Sequence, residues 1–224
     1  MDKQDLLKSI KEARQNAKKR KFSQTVDLII NLKEIDLKKE AEKLNTFLIL
    51  PHARGKKVKV TALVGQELLV KARAACDNII INETFKSLEK KAIKKIASQS
   101  DFFIAQSNIM PQVASTFGKI LGPRDLMPNP KAGCVVQPTG ELKPVVEKLQ
   151  KTIRIHPKNE PTIKVPIGVE TMKDEELADN GMAVYNAVLP LLPQEKNNLK
   201  SIVIKLTMGK QSIIGMEHEM EDKK

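Results

Sequence analysis

The sequence predicts a protein of mixed α/β and α+β class, built from two domains of different style. Its 224 residues suffice for one large domain or two small ones. Strand-like and helix-like segments alternate through the middle of the chain, which is typical of a parallel sheet with crossover helices. Both chain ends have an antiparallel style that the middle lacks. We therefore expect them to form one discontinuous, two-layer α+β domain into which an α/β domain is inserted.

The N-terminal segment begins with an amphipathic helix, predicted over residues 3–20. Its apolar residues recur at spacings of four, three and four, which places them on one face: Leu6, Ile10, Ala13 and Ala17. Apolar and β-branched content predicts strands over residues 25–32 and 46–50. A turn or hinge is expected from Pro51 to residue 57, since proline and glycine interrupt regular structure there.

The pattern of apolar residues in the middle of the chain predicts three successive pairs of strand and helix. Strands are expected over residues 58–65, 79–81 and 101–106, and helices over residues 66–77, 83–98 and 108–121. Pro111 falls in the first turn of the last helix, where proline is tolerated. This alternation predicts an α/β domain over residues 58–152.

The C-terminal part returns to an antiparallel style. Residues 153–156 and 162–166 are predicted to form a hairpin joined across residues 157–161. A helix and two strands are expected to follow, within residues 173–192, 201–208 and 211–216. Residues 217–224 are charged and are expected to fray. The predicted discontinuous domain thus comprises residues 1–57 and 153–224.

Charge points to a polyanionic partner. The net charge is +12, and it is spread unevenly, with +8 over residues 1–60, +5 over residues 61–152 and −1 over residues 153–224. Residues 14–21 hold five cations and no acid. Neutralising a phosphate polymer releases its counterions, which favours nucleic acid as the partner class. Simple solubility is the other interpretation. A membrane surface is disfavoured, because no wide apolar face with aromatic anchors accompanies the charge.

The sequence favours a cytosolic protein without catalytic machinery or cofactor. No apolar run exceeds four residues, and no signal region follows the N-terminus. Cys76 and Cys134 lie too far apart in sequence for a CxxC site and fit a reducing compartment. The three histidines show no metal-ligand spacing, and neither GxGxxG nor GxSxG occurs. With six Phe, one Tyr and no Trp, the chain cannot build an aromatic platform for stacked bases.

Three local features could provide polar contacts to nucleic acid, and each leaves an alternative open. Phe22, beside Lys21, is either packed into the core or presents a planar surface to a ribose or base. Gly209, after Thr207 and Met208, serves a turn or lets another backbone approach closely. Residues 121–133, rich in proline, form either a rigid structural loop or one that contacts phosphates through its cations.

Three motifs resemble those of the large-subunit ribosomal protein L-one family, the protein of the mobile stalk. They are GKILGPRDLMPNPKAG over residues 118–133, KFSQTVD over residues 21–27 and LTMG over residues 206–209. The likeness covers essentially the whole chain and looks archaeal in style. Asp125 stands where the family often has Gly, and Cys134 where it often has Thr.

The resemblance implies a split two-domain architecture with an inserted Rossmann-like domain. It implies that the discontinuous domain binds large-subunit ribosomal RNA at the stalk. The RNA-binding residues carried over are Lys21, Phe22, Thr25, Asp27, His156, Lys164, Thr207, Met208 and Gly209. The signature loop comprises Gly118, Gly122, Pro123, Arg124, Pro128, Pro130, Lys131 and Gly133.

The same resemblance implies partners and a location. The expected partners are stalk ribosomal RNA, exit-site tRNA, other ribosomal components and the chain's own mRNA, which it would repress. The expected location is the large ribosomal subunit in the cytoplasm. Two alternatives stay open, a free regulatory RNA-binding protein and an enzyme whose small α/β domain binds a nucleotide.

Overall fold

The computed structural model describes residues 1–35, 44–85, 87–157 and 160–214. The chain divides into two compact units. The split unit comprises Met1–Lys56 and Ile153–Lys224, and the inserted unit comprises Lys57–Thr152. The mixed α/β and α+β class predicted from the sequence is confirmed. The expected fraying of residues 217–224 lies outside the described residues.

Six α-helices and ten strands are described. In chain order they are α1 (Lys3–Gln15), β1 (Thr25–Leu32), β2 (Thr46–Ile49), β3 (Val60–Val64), α2 (Leu69–Ala75), β4 (Asn78–Ile81), α3 (Lys90–Gln99), β5 (Phe102–Gln106), α4 (Met110–Leu121), β6 (Val135–Val136), α5 (Lys143–Lys151), β7 (Thr152–Ile155), β8 (Thr162–Val169), α6 (Asp174–Val188), β9 (Leu199–Leu206) and β10 (Gln211–Ile214).

The main sheet of the split unit joins the two chain ends. Its order is β10-β9-β1-β8, and every neighbouring pair is antiparallel. Strand β1, from the N-terminal piece, therefore lies between two strands from the C-terminal piece. Its residues alternate between buried and partly exposed, as expected for a strand with one face on the core.

Helices α1 and α6 cover the buried face of this sheet. The apolar side of α1, with Leu6 and Ile10, joins the core together with Leu28 of β1 and Leu177 of α6. The two helices approach closely at Gly181, where a Cβ atom would lie 2.9 Å from a methyl carbon of Leu6. No helix of the described residues covers the opposite face of the sheet, which we call the open face.

Helix α1 ends five residues before its predicted end. Asn16 caps it through a backbone N–H bond to Glu12 O, and residues 18–20 are not helical. On a continued helix Lys18 would lie one turn from both Arg14 and Lys21, and like charges at these spacings repel. The apolar periodicity continued to Ala17, which still packs against the core from outside the helix.

The predicted hairpin of residues 153–156 and 162–166 is wrong. Strand β7 pairs with β2 in a separate two-stranded sheet, whereas β8 pairs with β1 from Thr25↔Val169 to Asn31↔Thr162. Prolines at positions 157 and 161 remove two backbone donors from the connection, which disfavours a tight hairpin. The eight-residue β8 instead pairs along most of its length with β1.

The inserted unit contains a four-stranded parallel sheet in the order β4-β3-β5-β6. Strand β3 is buried along its whole length, as is typical of a parallel sheet. The predicted helix over residues 83–98 is interrupted, because a 3-10 turn precedes Phe85 and α3 begins only at Lys90. This turn places Phe85 in the core, edge-to-face on Phe117 with ring centroids 5.0 Å apart.

The buried amide of Asn180 fixes the segment that leaves the split unit. Its Oδ1 accepts from His52 N at 2.9 Å, and its Nδ2 donates to His52 O and Ile167 O at 3.1 and 2.8 Å. The three bonds satisfy one backbone N–H and two backbone carbonyl groups. This α6 side chain thus holds the segment after β2 against β8.

We expect Asn180→Asp to lower the free energy of unfolding by about 3 kcal/mol, because a carboxylate cannot donate to two carbonyl oxygens and its charge would be buried. Urea unfolding of the full chain measures the change. Exposed Asn197 makes no side-chain hydrogen bond within the described residues. Asn197→Asp is therefore the matched control, expected to change stability by less than about 0.5 kcal/mol. Equal losses in both variants would contradict this role of Asn180.

Candidate nucleic-acid interface

A polar connection between the chain ends forms the centre of the candidate site. The backbone of Thr25, at the start of β1, donates to Thr207 Oγ1 at 3.1 Å. The same hydroxyl donates to Thr25 O at 3.3 Å, and Thr207 N donates to that oxygen at 3.0 Å. Residues 206–209, which begin at the last residue of β9 and which we call the terminal turn, are thus tied to the first residue of β1.

Gln24 completes this connection and was not among the predicted site residues. Its side chain is only 1% exposed, and its Oε1 accepts from Met208 N at 3.1 Å. Its Nε2 donates to Lys18 O at 3.4 Å, and its backbone oxygen accepts from Glu170 N. The position of Gln24 within KFSQTVD was the only signal in the sequence, because a buried glutamine resembles any polar residue of a loop.

Two large apolar side chains border the polar connection between Thr25, Gln24 and the terminal turn. Phe22 is 52% exposed and Met208 is 59% exposed. The interpretation of Phe22 as a core residue is therefore wrong. The terminal turn is a real turn, because Gly209 N donates to Leu206 O at 2.9 Å. Large exposed apolar side chains beside polar groups are typical of contact surfaces.

Asp27 and Lys164 lie on the open face of the main sheet. Asp27 is opposite Lys205 and Pro166, and burial raises the pKa of its carboxyl although Lys205 lowers it. Lys164 is exposed, opposite Ile29, and forms an ion pair with Glu160 at 3.1 Å. The structure therefore places both predicted residues on the face that no described helix covers.

His156 lies apart from the main sheet. It follows β7, and its Nδ1 lies 3.2 Å from Leu44 O. The structure thus attaches this predicted residue to the part of the split unit that carries the two-stranded sheet of β2 and β7.

Four exposed cations precede the site. We call Lys18, Lys19, Arg20 and Lys21 the cationic segment. Their side chains form no hydrogen bond or ion pair with the described part of the chain. No described acidic side chain pairs with these four cations, so their positive charge can attract an anionic partner.

The signature loop lies in the inserted unit and is held by its own hydrogen bonds. Asn129 Oδ1 accepts from Lys131 N at 2.9 Å, and Arg124 Nη1 donates to Lys94 O at 3.4 Å. Gly133 and Asp125 have φ of 75° and 61°. Aspartate tolerates this left-handed conformation better than most residues, which explains how it can stand where the family often has glycine. These bonds favour the rigid-loop interpretation and leave Lys131 exposed.

The described residues offer no assembled metal or thiol chemistry. They contain no group of three or more His, Cys, Asp and Glu side chains that could hold a metal ion. Burial raises the pKa of Cys76 and of Cys134 to about 11 each, so both thiols stay protonated near neutral pH. Among these residues there is also no helix with the length and apolar character needed to cross a membrane.

The fold and the surface define a basic protein of two units, whose candidate site offers polar, apolar and cationic contacts. Comparison with known proteins identifies the family within this class of protein. Residues 10–210 match the ribosomal protein L1p/L10e family. The chain therefore belongs to that family, which confirms the resemblance noted from its motifs and shows that it is not an enzyme.

Archaeal relatives match nearly the whole chain. Large ribosomal subunit protein uL1 of Thermococcus kodakarensis is 41% identical, over 93% of this chain and 95% of the relative. The protein of the same name from Methanothermococcus thermolithotrophicus is 42% identical, over 93% and 97%. That of Thermoplasma volcanium is 34% identical, over 96% and 98%. The archaeal style expected from the sequence agrees with these relatives.

We expect Gln24→Leu to speed hydrogen exchange of the Met208 amide roughly fivefold, because leucine removes its acceptor, which is worth about 1 kcal/mol. Exchange followed by NMR measures this. Gln15→Leu is the control, since Gln15 is exposed and makes no side-chain bond within the described residues. An unchanged Met208 rate in Gln24→Leu would show that Gln24 does not hold the turn.

We expect Asp27→Asn to raise the free energy of unfolding at pH 7. Burial raises the pKa of this carboxyl above its ordinary 3.8, so the folded chain binds the proton more tightly and the ionised form destabilises it. The gain should shrink as the pH falls through the raised pKa and vanish below 3.8. Urea unfolding at several pH values measures it. A gap between variant and parent that is independent of pH would contradict the assignment.

Proposed function

We propose that the chain is a structural constituent of the large ribosomal subunit in the cytoplasm, where its split unit binds a folded region of large-subunit ribosomal RNA at the mobile stalk. One observation carries the proposal. The hydrogen bonds between Thr25 and Thr207 fix an uncharged polar surface, contributed by both chain ends, between exposed apolar side chains. Membership of the ribosomal family supports ribosomal RNA as the partner.

Cations and uncharged groups have different tasks in this proposal. The cationic segment attracts RNA through counterion release, which depends on salt and on the number of phosphates but not on RNA shape. Selectivity comes from uncharged groups at the terminal turn. In a contact that excludes water, each polar group left without a partner costs about 1–3 kcal/mol, so an RNA of the wrong shape is rejected.

Thr207 is suited to recognise a ribose. A hydroxyl has one donor and two acceptor positions, and within the chain Thr207 uses its donor on Thr25 O and one acceptor position for Thr25 N. The remaining position accepts from a 2′-OH, a group that DNA lacks. Gly209 lets the sugar approach, and Phe22 packs against the sugar face.

The proposal extends to two further activities implied by the family resemblance. At the stalk, the protein assists the movement and release of deacylated tRNA from the exit site. It also represses translation of its own mRNA by binding a site that resembles the ribosomal one. A single surface in the split unit then serves both RNAs, so ribosomal RNA competes with the mRNA for it.

A free regulatory protein that never joins a ribosome is the rival interpretation. Sedimentation of cell extract separates the two, because a structural constituent travels with the large subunit. Recovery of the chain only in the ribosome-free fractions would overturn the ribosomal role.

We expect Thr207→Val to weaken binding of a stalk RNA fragment by more than about 1 kcal/mol, roughly fivefold or more, without changing the salt dependence. Thr207→Ser keeps the hydroxyl and should bind nearly as the parent does. Lys21→Ala should cause a smaller loss and reduce the slope of log affinity against log salt by about one. Titration of each variant over a range of salt concentrations measures both quantities.

The control variants distinguish a loss of RNA affinity caused by the missing hydroxyl from one caused by the changed shape of the side chain. Equal weakening in Thr207→Ser and Thr207→Val would mean that side-chain shape, not the hydroxyl, matters. Identical salt slopes for Thr207→Val and Lys21→Ala would contradict the division between attraction and selection.

A further inference from the structure

A cleft of about 380 Å³ opens beside the terminal turn. It lies between the end of α1 and the residues that enter β1 and leave β9, since Ala17, Gln24 and Leu206 contribute to its lining. Leu206 immediately precedes Thr207, and Gln24 holds Met208 N. The cleft therefore lies directly beside the terminal turn.

The lining combines apolar and hydrogen-bonding groups. Ala17 and Leu206 supply apolar surface, and Glu170 supplies a carboxylate. The carboxylate of Glu170 forms no hydrogen bond or ion pair with the described residues. A flat ring with an amino group would satisfy both parts of this lining, because its faces are apolar and its edge donates to the carboxylate.

The remaining lining is cationic. Lys18, Lys19 and Arg20 contribute to it, and their side chains form no hydrogen bond or ion pair with residues 1–35, 44–85, 87–157 or 160–214. Arg14 differs, because it donates to Met172 O and pairs with Asp174 Oδ1 at 3.1 Å. The fixed Arg14 thus forms a wall of the cleft, while Lys18, Lys19 and Arg20 are placed to meet a phosphate.

We propose that this cleft accepts one unpaired nucleotide of the bound RNA, with a cytosine or adenine base inside and its phosphate on the cationic residues. This inference rests on the proposed RNA-binding function and adds to it a base-reading site outside the terminal turn. The volume is near the lower end of the range of about 300–1,000 Å³ typical of ligand sites, which suits a single nucleotide. An anion alone would leave the apolar lining and Glu170 unused.

Nucleoside monophosphates test the base preference on the full chain. In NMR titrations, CMP should shift the amides of residues 17–24, Glu170 and Leu206, and UMP should bind at least threefold more weakly. The two ligands have the same size, but uracil presents an oxygen to Glu170 where cytosine presents an amino group. Glu170→Gln should remove the preference. Equal binding of CMP and UMP, no shift with either, or the same shifts with inorganic phosphate alone would overturn the proposal.

A variant that fills the cleft tests its use by RNA. Ala17→Phe removes no charge but excludes the nucleotide and its phosphate from the cleft, so we expect it to weaken binding of the stalk RNA fragment at least tenfold and to reduce the salt slope by about one. Ala53→Phe adds the same side chain at an exposed turn and should leave binding unchanged. Glu170→Gln adds no bulk and should weaken binding by at least threefold. It tests the cleft even if Ala17→Phe fails to fold.

The two proposals fail in distinguishable ways. If the unaltered chain does not bind the stalk RNA fragment, the proposed function is overturned. If the unaltered chain binds the fragment, but Ala17→Phe and Glu170→Gln bind it equally well, only the nucleotide cleft is overturned.

Discussion

The pairing of β1 between β8 and β9 is the constraint on which the split unit depends. It joins residues more than 130 positions apart in the sequence, and its end brings Thr25 against Thr207. Neither chain end alone could form this sheet or the polar group at its edge. This non-local pairing closes a long loop that contains the whole inserted unit. The site therefore forms only when the two chain ends have paired across that loop.

The candidate site retains several features that do not favour stability. Phe22 and Met208 remain exposed, and the half-buried carboxyl of Asp27 has a raised pKa. The cationic segment gathers like charges in consecutive positions. Each feature would be unfavourable on an inert surface, but all of them suit a partner that brings phosphates and sugar hydroxyls. Local departures from stability of this kind are typical of functional surfaces.

The sequence predicted helices and strands well where the pattern of apolar residues extended through a whole element. Strand β1 follows the predicted limits, and the alternation of the middle segment gave the parallel sheet. Pairing was harder, because apolar content identifies strands at 153–156 and 162–166 but not their partners. Strand β6, with two residues, and helix α5 were not predicted from pattern. Gln24 shows the same limit, since its contact to Met208 spans 184 positions and leaves no periodic signal.

Recognition by an uncharged surface from both chain ends is tested most directly by amide hydrogen exchange of the full chain, with and without a stalk RNA fragment. Bound RNA should slow exchange together at residues 22–25 and 206–209, and should do so at salt concentrations where non-specific binding has been lost. Slowing confined to the cationic segment, with exchange at Thr207 and Met208 unchanged, would show that charge alone holds the RNA.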